Sequence, residues 1–144
     1  MAELTGTYDP EQVICIVGGV ILSGFSDGDS IIARRSEDVF SKRVGIDGGV
    51  ARARNANKSG EFEFKFLQTS SANDQLSALL AIDNLVNDGL AVFPVSVVDG
   101  SGRSLAAATQ CWIKTVPEAT FGKDVSERVW VFDAADLKIF HGGN

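Results

Sequence analysis

Three stretches of the sequence carry residue types whose spacing could do chemistry. "GFSDG", Gly24 to Gly28, fits the G-x-S-x-G pattern, in which a strained strand-to-helix turn presents a serine hydroxyl, here Ser26, as a nucleophile. That pattern needs a helix behind the serine, then an acid and a histidine further on. "SIIARR", which reads as a strand, follows instead, and the single histidine, His141, stands beside the terminal "GGN". Asp27, Asp29 and Ser30 look like a fragment of a calcium loop, without the glycine and the bidentate glutamate at the required spacing. Two cysteines far apart in sequence, Cys15 and Cys111, with one histidine, make no local zinc set. No cofactor, metal or enzymatic step is expected.

The third stretch, "VGIDGGVARARN", Val44 to Asn55, sets glycines in front of Arg52 and Arg54. A phosphate loop of the Walker type would end in Lys-Ser or Lys-Thr and open a helix whose N-terminus meets the anion. This one has no such pair and runs into a strand. Arg52 and Arg54 are two apart and share a face, where Glu61 and Glu63 of the next strand are the expected partners. Gly48 and Gly49 let the chain turn into that strand.

The elements that must position these residues are mostly strands. "QVICIV" and "VILSGF" are two strands joined at Gly18–Gly19, and "SIIARR" (Ser30 to Arg35) is a third. The polar stretch after it, about residues 36–49, has no clear period and reads as a long loop. In "GEFEFKFLQ", Phe62, Phe64 and Phe66 alternate with Glu61, Glu63 and Lys65, which puts three rings on one face and three charges on the other. "SSANDQLSALLAIDNLVNDGL" predicts one helix over about 71–88. Ser71 and Asp74 approximate a capping box, the apolar stripe is Leu76, Leu79, Leu80, Leu85 and Val86, and Gly89 is the stop. "AVFPVSVVD" and "SLAAATQCWIKT" flank the turn "DGSGR", with Pro94 pushing the first strand toward a sheet edge or a bulge. "RVWVFDAADLKIF" has Val129 and Val131 on one face and Trp130 and Phe132 on the other, so it is central to two layers or covered by another subunit. The expected fold is one domain over residues 1–144: a mainly β, antiparallel sandwich or rolled barrel with one flanking helix.

At 144 residues, with 44% hydrophobic and 22% charged residues, the chain can bury a core unaided. Its net charge of −6 opposes a freestanding grip on phosphate, which needs a clustered excess of Lys and Arg. Cys15 sits between Ile14 and Ile16 and Cys111 precedes Trp112, so both read as small buried apolar residues in a reducing compartment, with a disulfide between them the lesser alternative. No apolar run approaches the roughly 20 residues that span a bilayer, and no leader pattern is visible, so synthesis in the cytoplasm without a membrane anchor is expected.

The succession "GGVILSGFSDGDSIIARRSEDVFSKRVGIDGGVARARNANKSGEFEFKFLQTSSANDQLS", with "FGKDVSERVWVFDA" and the terminal "GGN", resembles a family of bacteriophage virion proteins that look like the tail tube subunits of contractile-tailed phages. The resemblance implies a homo-oligomer, six-membered rings stacked into a hollow tube inside a contractile sheath, located in the virion tail and made in the host bacterial cytoplasm. It also implies a tape-measure protein and passing DNA in the lumen, with a baseplate and a tail terminator at the ends. The segment matching the family's assembly loop is 36–49. Arg34, Arg35, Asp38, Phe40, Lys42, Arg43 and Asp47 are the candidate contacts between rings, and Arg52, Arg54, Glu61, Glu63 and Lys65 the candidate lumen or inter-subunit face. A tube of a DNA-free contractile injection or secretion device is the alternative, and a small β-sandwich hydrolase or ligand-binding module built on "GFSDG" a more distant one.

Overall fold

Alternation dictates the centre of the molecule. In β6 (Gly60–Leu67), Phe62, Phe64 and Phe66 are fully buried, while Glu61, Glu63 and Lys65 stay partly open on the other face. The structure, a computed structural model, describes residues 2–85 and 92–143. Around β6 it places β1 (Val13–Val17), β2 (Val20–Leu22), β3 (Ile31–Arg35), β7 (Phe93–Asp99), β8 (Leu105–Thr115), β9 (Glu127–Ala134) and β10 (Lys138–Phe140) in one antiparallel sheet. Its order is β2-β1-β7-β8-β9-β6-β3, with β10 beside β8. β4 (Phe40–Val44) and β5 (Val50–Arg54) form a separate two-stranded sheet.

The long β8 serves both halves of the sheet. Leu105 to Ala107 pair with β10 on one side and with Val98 to Ser96 of β7 on the other, whereas Cys111 to Thr115 pair with β9. The sheet thus folds over one core of Cys15, Val17, Leu22, Val95, Cys111, Trp130, Phe132, Leu137 and the three phenylalanines of β6. Phe132 meets Phe64 and Phe93 edge-on at 5.3 and 5.8 Å between ring centroids, the arrangement that the ring quadrupoles favour. Pro94 interrupts the β7–β8 register between Phe93 and Val95, so the bulge is present, but β7 lies inside the sheet between β1 and β8. β9 is central as well, with Trp130 and Phe132 in the core and Val129 and Val131 half-buried on the outside.

Helix α1 (Ala72–Leu85) buries Ala72 and Leu76 and packs Leu79 against the core. Val86 and Gly89 lie outside the described residues, as does the Leu85 side chain. The cap comes one residue earlier than the sequence suggests: Ser70 Oγ accepts from the Ala72 N–H at 3.1 Å and donates to the Ser23 carbonyl at 2.6 Å. Asn73 fastens the helix to the sheet. Its amide nitrogen donates to the carbonyls of Leu67 (3.1 Å) and Ser70 (3.2 Å), and its Oδ1 accepts from the buried Trp130 indole at 3.0 Å.

The outer face of β6 is held by charge. Glu61 and Asp133 are direct cross-strand partners, an unfavourable placement of like charges. Lys114 relieves it, with Nζ 2.6 Å from Glu61 and 4.0 Å from Asp133. Arg34 on β3 reaches Glu61 at 3.0 Å and Glu63 at 3.5 Å. The hydrogen bond from Lys114, its charge and then Arg34 hold the Glu61 carboxyl below its ordinary 4.5, and Glu61 holds the Lys114 ammonium above its ordinary 10.5.

Two predictions follow from these contacts. Asn73→Ala strands the Trp130 N–H and should lower stability by about 1–3 kcal/mol in denaturant titrations followed by tryptophan fluorescence; a change within error would show that the indole finds water. Because the Glu61 pKa is lowered on folding, its stabilisation is full above the unfolded value and disappears as pH falls through the folded one. For Lys114 the sign reverses, with loss as pH rises past 10.5. Thermal melts of Glu61→Gln should therefore show a lower Tm than the parent near neutrality, with the difference closing below pH 4.5 and again in strong alkali.

Candidate assembly surface

The polar stretch 36–49, read from sequence as a loop, contains strand β4, and with β5 it makes a hairpin. Its residues escape a simple period because neither face is buried: all ten positions of β4 and β5 are exposed. The turn is built by Asp47, whose Oδ1 accepts from the Gly49 N–H at 3.0 Å, and by Gly48 at φ +87°, where a side chain would be strained. Phe40 pairs with Arg54, Lys42 with Arg52 and Val44 with Val50, so these six share one face. Arg43 lies opposite Ala51 on the other face, with Ser41 opposite Ala53.

Arg52 and Arg54 are therefore not partners of Glu61 and Glu63. β5 pairs with β4 and not with β6, and the two guanidinium groups lie over the Phe40 ring at 4.4 and 4.9 Å. The carboxylates of β6 are taken by Arg34 and Lys114. Lys114 was missed in the sequence because it reaches Glu61 from a strand that is distant in the chain. Lys65 sits on the same outer face as Glu61 and Glu63. At the foot of the hairpin, Asn55 Nδ2 donates to Glu37 at 2.7 Å and to the Asp38 carbonyl at 3.1 Å. The Glu37 carboxyl is lowered by its hydrogen bonds to Asn55 and Asn57. Arg35 lies beside Val39, Arg54, Asn55 and Asp136, with its Nε buried and unpartnered.

A second exposed surface belongs to the other half of the sheet. Register places Ile14, Val98, Leu105 and Phe140 in one row across β1, β7, β8 and β10, and Ile21 and Ile16 beside them. Ile21 is 65% exposed and Phe140 59%. The molecule thus has one outer face of paired charges and another that is apolar.

The chemistry-bearing residues have structural neighbours. Ser26 is buried; its N–H donates to the Lys65 carbonyl, and its Oγ donates to the Glu127 carboxylate. Gly24, at φ +78°, lies where an added Cβ would come within 2.7 Å of Ser70 Cβ. "GFSDG" is thus the segment against which the helix cap packs. Among the described residues no three His, Cys, Asp or Glu side chains are placed to hold a metal. Cys15 and Cys111 are buried free thiols, and burial pushes them up to about 12 and about 11. Among the described residues no helix is long and apolar enough to cross a membrane.

Residues 10–142 match the family described as Bacteriophage PhiTE tail tube protein. The chain is 31% identical over 150 residues to "Structural protein ORF10" of Pseudomonas phage KPP10, covering 100% of this chain and 87% of that protein. Among solved structures, the sheath/tube terminator of the extracellular contractile injection system PVC is similar with a TM-score of 0.64 at 8% identity, covering 96% of this chain and 100% of the other. The PVC sheath-tube complex gives 0.61 at 10% identity, covering 93% and 91%. The tube-terminating cap of the anti-feeding prophage gives 0.61 at 8%, covering 97% and 95%. These likenesses support the fold, and the match over residues 10–142 settles the family: the chain belongs to the bacteriophage tail tube proteins of the PhiTE type.

Proposed function

We propose that the protein is the repeating subunit of a phage tail tube, with copies in stacked, six-membered rings that bound a DNA-conducting channel inside a contractile sheath. Its work is geometric, with no catalytic step. The observation that carries this reading is the exposed hairpin on a chain of tube family: two strands without a core cannot persist alone and call for a neighbour. On this reading Asp38, Phe40, Lys42, Arg43 and Asp47 contact an adjacent subunit or ring, Arg35 stands at the hairpin's foot beside Asn55, and Arg34 is held back by Glu61 and Glu63 of β6. Sheath protein lies outside, tape-measure protein and DNA pass within, and terminator and baseplate close the ends.

The two outer faces suit different surroundings. On the outer face of β3, β6, β9 and the end of β8, Arg34 and Lys114 are already bound to carboxylates, which leaves them weak hooks for phosphate. That face suits a lumen through which DNA must slide. The apolar face of Ile14, Ile21, Val98 and Phe140 suits burial against a neighbour. The similarity in fold to parts of contractile injection systems favours a second reading, a tube of a device without a genome. Nucleic-acid content of purified particles separates the two.

Electron microscopy of the purified protein is the test of assembly: rings or tubes are expected, and monomers under every assembly condition would sink the proposal. Ile21→Glu with Val98→Glu, both at exposed positions, should leave the subunit's stability within about 0.5 kcal/mol of the parent while abolishing rings in micrographs. Normal rings from that variant would show that the apolar face is not buried on assembly.

A further inference from the structure

The hairpin carries the opposite charge from the rest of the chain. Residues 39–55 hold Lys42, Arg43, Arg52 and Arg54 against one carboxylate, Asp47, a net of +3 in a chain of −6, which leaves −9 elsewhere. Lys42 and Arg52 are direct cross-strand partners, a pairing of like charges that weakens a hairpin already short of buried area. Among the described residues, none of Lys42, Arg52 and Arg54 has a carboxylate within ion-pair distance. Of the acids at the hairpin's turn and foot, Asp47 is engaged by the Gly49 N–H and Glu37 by Asn55, while Asp38 and Asp136, which border the same hollows as Arg54, make no ion pair with it. Phe40 gathers the two guanidinium groups over its ring and supplies no countercharge.

A local rule broken on an exposed, uncovered element marks a functional surface. We infer that the face formed by Phe40, Lys42, Arg52 and Arg54 docks on a carboxylate-bearing surface of a second copy of this chain, and that assembly supplies the countercharge the hairpin lacks alone. This rests on the tube reading and adds the chemistry and symmetry of the contact. A cationic face cannot pair with its own image about a twofold axis, because each cation would meet another. The contact is therefore hairpin on body, and where the two copies are related by any rotation other than a twofold it repeats into a ring or a filament. The second copy is favoured over DNA as occupant because the face is bordered by the apolar tip residues Val44, Ile46 and Val50, of which Ile46 is fully exposed, and because the body of the same chain is strongly acidic.

The test compares the parent chain with Lys42→Gln/Arg52→Gln/Arg54→Gln and with the same three positions changed to Glu. Assembly is read by sedimentation and electron microscopy between about 0.05 and 0.5 M NaCl, a range over which screening rises several-fold in strength. The parent's critical concentration should rise at least about tenfold with salt. The Gln variant should need at least about tenfold more protein at low salt and lose most of the salt dependence, and the Glu variant should not assemble. The isolated Gln variant should melt no lower than the parent, which separates lost docking from lost folding. If the parent assembles and both variants match it, the hairpin inference fails and the tube reading stands; if the parent stays monomeric throughout, both fail. Sedimentation of a labelled DNA duplex with the parent but not with the Gln variant, with assembly unchanged, would assign the face to nucleic acid and overturn the inference.

Discussion

Everything else in this subunit depends on three rings standing on one side of one strand. Phe62, Phe64 and Phe66 are buried without remainder, and because successive side chains point to opposite faces, a slip of one residue would send all three into water and draw Glu61, Glu63 and Lys65 into the core. Burying each ring contributes on the order of 1.5–3 kcal/mol, so the three together separate the correct register from its neighbours by an amount comparable to the whole stability of a typical domain. Once β6 is fixed, β9 and β3 are set on either side of it, the Phe132 and Trp130 side chains are aimed inward, and the charged face is obliged to point out.

The core was legible because it is periodic. The strands flanking Gly18–Gly19, the alternating β6, the helix and the two-sided β9 all follow from spacing. What was hidden was pairing between distant segments. Nothing near Glu61 in the chain announces Lys114, and proximity in sequence suggested the wrong partners for Arg52 and Arg54. Stretch 36–49 was misread for the opposite reason: a strand exposed on both faces has no apolar side to alternate with, so its period vanishes. Asn73 was legible only as part of a family-specific stretch, and the structure gives that stretch its reason. One amide holds the β6–α1 turn and the Trp130 indole together.

The candidate site divides the same way. A motif reading singles out serine and aspartate at "GFSDG", but Gly24 and the preceding Ser23 are the seat of the helix cap, while Ser26 bonds to Lys65 and Glu127. The residues that suit assembly are unremarkable as chemistry: a phenylalanine, a lysine and two arginines on a hairpin with no core. Their meaning comes from what is missing around them. Bare strands and unneutralised charge are tolerable when a neighbour completes them, and the acidic body of an identical chain is the neighbour always present at matching concentration.

The long β8 has a mechanical consequence. Because it pairs with β7 and β10 along its first half and with β9 along its second, both layers of the sandwich belong to a single continuous hydrogen-bonded ladder from β2 to β3. A sandwich of two separate sheets can be prised apart along its seam, with only side-chain contacts resisting. Here a load applied to either layer passes through backbone hydrogen bonds around the fold of β8, so the subunit yields as one body.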